Sequence, residues 1–214
     1  MSSDYFRHSV KLAMVLAAFA LVGTSLLALT FDATKDNIAA SEKKAKLALI
    51  AQILPPELYD NDIISDATSL PPQAELGTAE ATVTYRALKD GKPSAVVLEA
   101  VAPDGYSGKI KLLIAIKENG EISGVRVVSH KETPGLGDYI EIAKSSWIKG
   151  FDGTSLEKYP SKDWKVKKDG GQFDSVAGAT ITPRAVVKAV HKALGYFSTN
   201  REKIFSLPAQ EQAK

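Results

Sequence analysis

The chain of 214 residues contains no cysteine. Disulfides, thiolate metal sites and a cysteine nucleophile are excluded, while the compartment stays open. Histidine is scarce. His8, His130 and His191 lie far apart and share no zinc-like spacing, so no metal site is expected. Excess charge is also missing: 27 basic against 25 acidic residues leave +2, and no Lys/Arg stripe alternates with aromatics. That argues against a nucleic-acid surface. There is no P-loop, no G-x-G-x-x-G and no defensible Ser-His-Asp set. The carboxylates are scattered without an acid/base pair, so no catalytic residue is assigned.

What is present starts with an uncharged run, "LAMVLAAFALVGTSLLALTF", residues 12–31. As a helix at about 1.5 Å per residue it matches the roughly 30 Å hydrocarbon core of a bilayer. It exceeds the about 7–15 apolar residues of a secretory signal and is followed by no clean small-x-small cleavage site. A retained membrane anchor is expected. Arg7 and Lys11 precede it, but Lys35, Lys43, Lys44 and Lys46 follow, so charge alone leaves the sidedness open.

Residues 32–79 read as a stalk or docking helix and a linker. Leu47, Ile50, Ile53 and Leu54 form an apolar stripe stopped by Pro55-Pro56, and residues 58–77 are rich in Asp, Pro and Ser. A folded domain is expected over 80–200. "ATVTYRAL" and "SAVVLEAV" flank Asp90-Gly91, and "KIKLLIAI" and "ISGVRVVSH" flank Asn119-Gly120. Both dipeptides tolerate the positive φ of tight hairpins. "GDYIEIAKSSWIKGF" reads as a helix ending near Gly150, and "WKVKK" as a short strand. "TPRAVVKAVHKALGYF" reads as a last helix with Thr182 as N-cap and Pro183 at the first position. The polar tail 201–214 is expected to fray. The fold class is α+β: an antiparallel sheet flanked by helices, after one N-terminal transmembrane helix.

Three loops offer chemistry. "DSVAGATITP" combines Gly178, small alanines and Thr180 just before a helix N-terminus. Such an end attracts phosphate, though an ordinary capped turn reads the same way. "HKETPGLGD" is rigid at Pro134 and open at Gly135 and Gly137. A flat ligand could lie on Leu136, with Glu132 and Thr133 at its polar edge, or the segment is a plain strand-to-helix loop. His130 alone is structural. "APDGYSG" presents Tyr106 as a ring partner or a packed aromatic.

The anchor, "DGYSGKIKLLIAI", "HKETPGLGD" and "DSVAGATIT", in that order and over essentially the whole chain, resemble the G subunits of Rnf (Rsx) electron-transport complexes. These belong to an FMN-binding domain family shared with the C subunit of the sodium-pumping NADH:quinone reductase. The resemblance implies FMN joined by its phosphate to the last threonine of a Ser/Thr-Gly-Ala-Thr motif. Here that is Thr180, after Gly178 and Ala179, with Asp174 matching an upstream Asp of the motif. Ala177 departs from the usual Ser/Thr. The ring is expected against Glu132, Thr133, Gly135 and Leu136.

By the same resemblance, a flavin transferase of the ApbE type, using Mg2+ and FAD, installs the group, and the A, B, C, D and E proteins of the Rnf complex are the partners. The protein is then a redox subunit without turnover alone, relaying electrons from ferredoxin/NAD chemistry coupled to Na+ or H+ movement. It would sit in the inner membrane as a single-pass protein, with residues 1–11 cytoplasmic and the flavin domain periplasmic. Alternatives are a protein like the quinone reductase's C subunit, an anchored ligand-binding module without covalent flavin, and a stand-alone flavoenzyme holding FMN loosely.

Overall fold

A computed structural model describes residues 2–208, with side chains from Tyr5. Met1 and residues 209–214 of the expected tail lie outside the described residues. The chain forms two compact units, residues 1–46 and 47–214.

The first unit lies within helix α1 (Ser2–Ile53), which is continuous over 52 residues. The expected anchor and the helix after it are therefore one helix. Its most apolar window has a mean hydropathy of 2.4 and no buried residue; Phe19 is 75% exposed. By length and composition it is a candidate membrane span. The hydroxyls of Thr24 and Thr30 donate to the carbonyls of Ala20 and Leu26, both at 2.7 Å. Inside the apolar run, that satisfies side-chain donors that a bilayer could not.

The second unit begins at Leu47 rather than near residue 80. Five strands, β1 (Thr68–Leu70), β2 (Thr82–Lys89), β3 (Lys92–Ala102), β4 (Ile110–Lys117) and β5 (Ile122–Ser129), form an all-antiparallel meander in chain order. Asp90 (φ 50°) and Gly91 (φ 70°) make the first tight turn, as their positive-φ tolerance demands.

Side chains alternate between faces, as strand geometry requires. Val96, Leu98, Leu112, Ile114 and Ile116 join the core under helix α2 (Ile181–Ser206). Val97, Leu113 and Ala115 join a second core with Tyr85, Ile50, Ile53 and Leu54. Those last three are about 1% exposed, and burying each contributes roughly 1.5–3 kcal/mol. The end of α1 lies so close to β5 that a Cβ on Gly124 would stand 2.7 Å from Ile53 Cγ2.

Residues 58–77, expected as a loop or linker, are mostly irregular and pack into the second unit. They contain β1, and the Asn61 side chain behaves like a strand partner, donating to the Arg86 carbonyl at 3.0 Å and accepting from the Leu88 N–H at 2.8 Å. The helix expected over "GDYIEIAKSSWIKGF" is two 3₁₀ turns, Asp138–Ile140 and Trp147–Phe151. Between them, the Ser145 hydroxyl takes the Trp147 N–H at 3.1 Å, a side-chain competitor for the helical bond. The expected strand "WKVKK" is reduced to a single Val166–Phe173 bridge and a 3₁₀ turn, Lys167–Asp169. Gly170 (φ 81°) turns the chain back, and a Cβ on Gly171 would meet the Lys165 carbonyl oxygen at 2.0 Å.

The start of the tail is ordered too. Helix α2 continues to Ser206, and the buried Arg86 guanidinium donates to the carbonyls of Phe205 (3.0 Å) and Leu207. It serves as a C-terminal cap, where unpaired carbonyls favour a cation.

Candidate functional site

The β3–β4 turn, the loop after β5 and the first turn of α2 meet at Glu132. Its carboxylate is 4% exposed. Oε1 accepts the Ser107 N–H at 2.9 Å, and Oε2 accepts the Thr182 hydroxyl. Two glycines leave room for it: a Cβ on Gly105 would stand 2.9 Å from Oε1, and one on Gly137 would stand 3.1 Å from Oε2. Both oxygens are therefore engaged inside the protein.

The loop itself is built from its own backbone. The Thr133 carbonyl accepts the N–H groups of Leu136 (3.1 Å) and Gly137 (3.0 Å). Gly135, at φ 76°, donates to Asp138 Oδ1 at 2.8 Å. This leaves Thr133, Gly135 and Leu136 exposed. His130 anchors the entry. Its Nδ1 accepts the Glu132 N–H at 2.9 Å, which assigns the remaining ring proton to Nε2, 2.5 Å from Glu141.

The segment from Asp174 to Thr180 is held at both ends. Trp147 Nε1 donates to the Asp174 carbonyl at 2.8 Å. The Tyr139 hydroxyl lies 3.4 Å from both the Val176 N–H nitrogen and the Ala179 carbonyl. Burial pushes the Tyr139 hydroxyl above its ordinary pKa, and the Val176 N–H pulls the other way. Gly178 (φ 85°) sits in open space, and Ala177 is exposed.

Thr180, not Thr182, occupies the N-cap of α2, in a helical conformation (φ −82°, ψ −25°) and without a side-chain capping bond. Thr182, expected as the cap, is one position further into the helix than its first residue, and its hydroxyl is taken by Glu132 instead. Local capping preference has yielded to a buried carboxylate 50 residues away.

Four large apolar side chains are exposed in the globular unit among the described residues: Tyr106 (68%), Leu136 (52%), Val176 (46%) and Ile181 (47%). Three are immediate chain neighbours of the Glu132 cluster, beside Ser107, Gly137 and Thr182, and the Val176 N–H lies at the Tyr139 hydroxyl. Exposed apolar side chains on these segments suit a flat aromatic ligand.

Ion pairs fringe the same region: Lys167–Asp174 (2.7 Å), Arg184–Asp169 (2.5 Å) and Lys188–Asp104 (2.6 Å). The hydrogen bond from Arg184 lowers the Asp169 pKa, and that from Lys188 lowers Asp104. Asp174 therefore presents its side chain to Lys167 and its carbonyl to Trp147. Among the described residues, no group of three or more His, Asp or Glu could hold a metal ion.

Sequence reasoning missed Ser107, Asp138, Tyr139 and Trp147. Only Asp138 left a local signal, an Asx-type residue closing a Gly-rich turn.

Residues 105–195 match the FMN-binding domain family, and residues 1–53 match the RnfG N-terminal region, which ends where α1 ends. The G component of the ion-translocating oxidoreductase complex of Shewanella oneidensis is 45% identical over 205 residues, 96% of this chain and 97% of the relative. The chain belongs to this family of Rnf G proteins. The Pseudomonas aeruginosa member is 49% identical over 94% of both chains, and the Vibrio cholerae member 46% identical over 92% of this chain and 94% of its own.

The residues present fit an FMN. Thr180 has a hydroxyl uncommitted to capping, Gly178 two residues before it leaves space, and exposed apolar side chains stand on the neighbouring segments.

Proposed function

We propose that this protein is the membrane-anchored flavoprotein subunit of an Rnf-type complex. It relays electrons between cofactors of its partners A, B, C, D and E, coupling ferredoxin/NAD electron transfer to Na+ or H+ translocation, and does not turn over alone. Its FMN is joined through phosphate to the Thr180 hydroxyl by a flavin transferase of the ApbE type. The N-terminus is cytoplasmic, in keeping with Arg7 and Lys11 before the span, and the flavin domain is periplasmic. Kinship with the Rnf G proteins supports the complex, and the site supports the attachment.

The observation that carries the attachment is the Thr180 hydroxyl. Threonine at an N-cap ordinarily bonds the helix backbone; here it makes no such bond. The helix N-terminus favours the phosphodiester charge. Thr133, Gly135, Leu136 and Tyr106 line the exposed rim for the ring, while the small Gly178 and Ala179 leave the approach to Thr180 open. Asp174, tied to Lys167 and Trp147, orients the loop. FMN supplies the one- and two-electron chemistry; the protein supplies position and surroundings.

The test is co-expression with the transferase, then a denaturing gel under ultraviolet light and peptide mapping. Wild type is expected to give a fluorescent band mapped to Thr180, and Thr180→Val none. A colourless wild type, or a band that survives the substitution, defeats the assignment. Yellow colour released wholly by acid would instead favour loosely held FMN.

A further inference from the structure

We propose that Glu132 is a positioning residue for flavin attachment, acting through Thr182 rather than touching the flavin. The inference rests on Thr180 being the attachment residue.

A carboxylate at 4% exposure is costly unless paired, yet no cation lies within salt-bridge distance of Glu132 among the described residues. Its partners are one backbone N–H from Ser107 and the Thr182 hydroxyl. The packing around it is tight: a Cβ on Gly105 would meet the Gly108 carbonyl oxygen at 2.2 Å and Glu132 Oε1 at 2.9 Å, and one on Gly137 would stand 3.0 Å from both Glu132 Cβ and Thr182 Oγ1. The group joins three segments and is almost wholly buried. A residue so enclosed holds a geometry and does not contact a ligand.

Helix periodicity gives the geometry its consequence. Successive residues turn by about 100°, so Thr180 and Thr182 point about 160° apart around α2. Pinning Thr182 inward, where it is 1% exposed, turns Thr180 outward, where it is half-buried with its hydroxyl unbonded to the cap. Glu132 also removes Thr182 from competition for the cap. The attachment step then has an oriented nucleophile. Thr180 Oγ attacks the flavin-side phosphorus of FAD, the bond to the adenylate oxygen breaks, AMP leaves, and the hydroxyl proton passes to solvent. No electrons are transferred.

The experiment uses the full chain in detergent with purified transferase, FAD and Mg2+, reading the initial flavinylation rate by intact mass and the melting of the unflavinylated protein. Glu132→Gln can still accept from Ser107 and can donate its amide to Thr182, so it is expected within about threefold of wild type. Glu132→Leu fills the space without the bonds and is expected to be at least tenfold slower. Thr182→Val is expected to slow the reaction similarly, and Glu132→Leu/Thr182→Val to be no slower than either single variant.

If Glu132→Leu does not fold, Thr182→Val against Thr182→Ser carries the comparison, with serine restoring the rate. Wild-type rates in folded Glu132→Leu or in Thr182→Val overturn the inference. So do multiplied losses in the double variant, or a Glu132→Gln protein that attaches normally but shows a shifted flavin absorption band. A wild type without an adduct on Thr180 defeats the attachment reading itself. An adduct with unchanged variant rates defeats this inference alone.

Discussion

The indole N–H of Trp147 donates to the main-chain carbonyl of Asp174 at 2.8 Å, tying a 3₁₀ turn to the first residue of the loop that leads to Thr180. Trp147 is itself gripped edge-on by Tyr139 and Phe151, each at 5.6 Å between ring centres. A ring so held gives the loop a fixed point on the core rather than on solvent.

Trp147→Phe keeps an aromatic between those neighbours and removes the donor. The expected loss is about 1 kcal/mol, the net worth of one hydrogen bond. It should be concentrated locally, with faster hydrogen exchange over residues 174–179 while exchange in β3 and β4 is unchanged. Equal protection of the loop in both proteins would show that the bond does not restrain it.

Arg86 is the corresponding fixed point for the end of α2. Arg86→Met preserves much of the buried volume but leaves the carbonyls of Asp66, Phe205 and Leu207 without this donor. Stability is expected to fall by about 3 kcal/mol in urea titrations of the full chain. Residues 201–208 should become the first protease-sensitive site. A loss under about 0.5 kcal/mol would fit a surface charge and not a buried cap.

These fixed points show what could be read from the sequence. The sheet was legible because its signals are local: Asp90 and Gly91 carry the positive φ of a hairpin, and strand residues alternate between two faces. The loop before α2 was legible as a turn, with Gly178 at positive φ shortly before the helix begins. The rest depends on distant partners. Asn61 completes the edge of β2 from 25–27 residues away, which turns an apparent linker into part of the domain. Glu132 captures Thr182 across 50 residues, which moves the cap to Thr180. The stripe Leu47, Ile50, Ile53 and Leu54 announced a docking helix, but nothing in it names the sheet face that it covers. The "ETPGLG" motif placed Glu132 at a ligand edge, whereas burial turns it toward the protein.

The packing of that stripe is tight enough to test. Gly124→Ala would place a methyl 2.7 Å from Ile53 Cγ2 and 3.2 Å from Ile53 Cα. The helix end must shift, at a cost of about 1–3 kcal/mol. Ile53→Ala removes the nearest of these atoms, so the double variant should be more stable than the sum of the single losses predicts, by at least about 0.5 kcal/mol. Strict additivity in denaturant midpoints would mean that the helix end adjusts freely over β5.

His191 offers a pH test. Its ring stacks on Trp164 at 5.5 Å and 11°, and burial lowers its pKa below the ordinary imidazole value of 6.5. Between the folded and unfolded values the unfolded chain binds more protons, so stability rises with pH in that window. The neutral ring's contribution is therefore complete above about pH 6.5 and is lost as pH falls through the lower folded value. His191→Phe keeps a flat ring over Trp164 and cannot titrate. The difference in melting temperature between wild type and variant should be constant above about pH 6.5 and move against wild type below it. All other groups are common to the two proteins and cancel from the difference. Parallel curves from about pH 8 to 5 would remove His191 from the acid response of the fold.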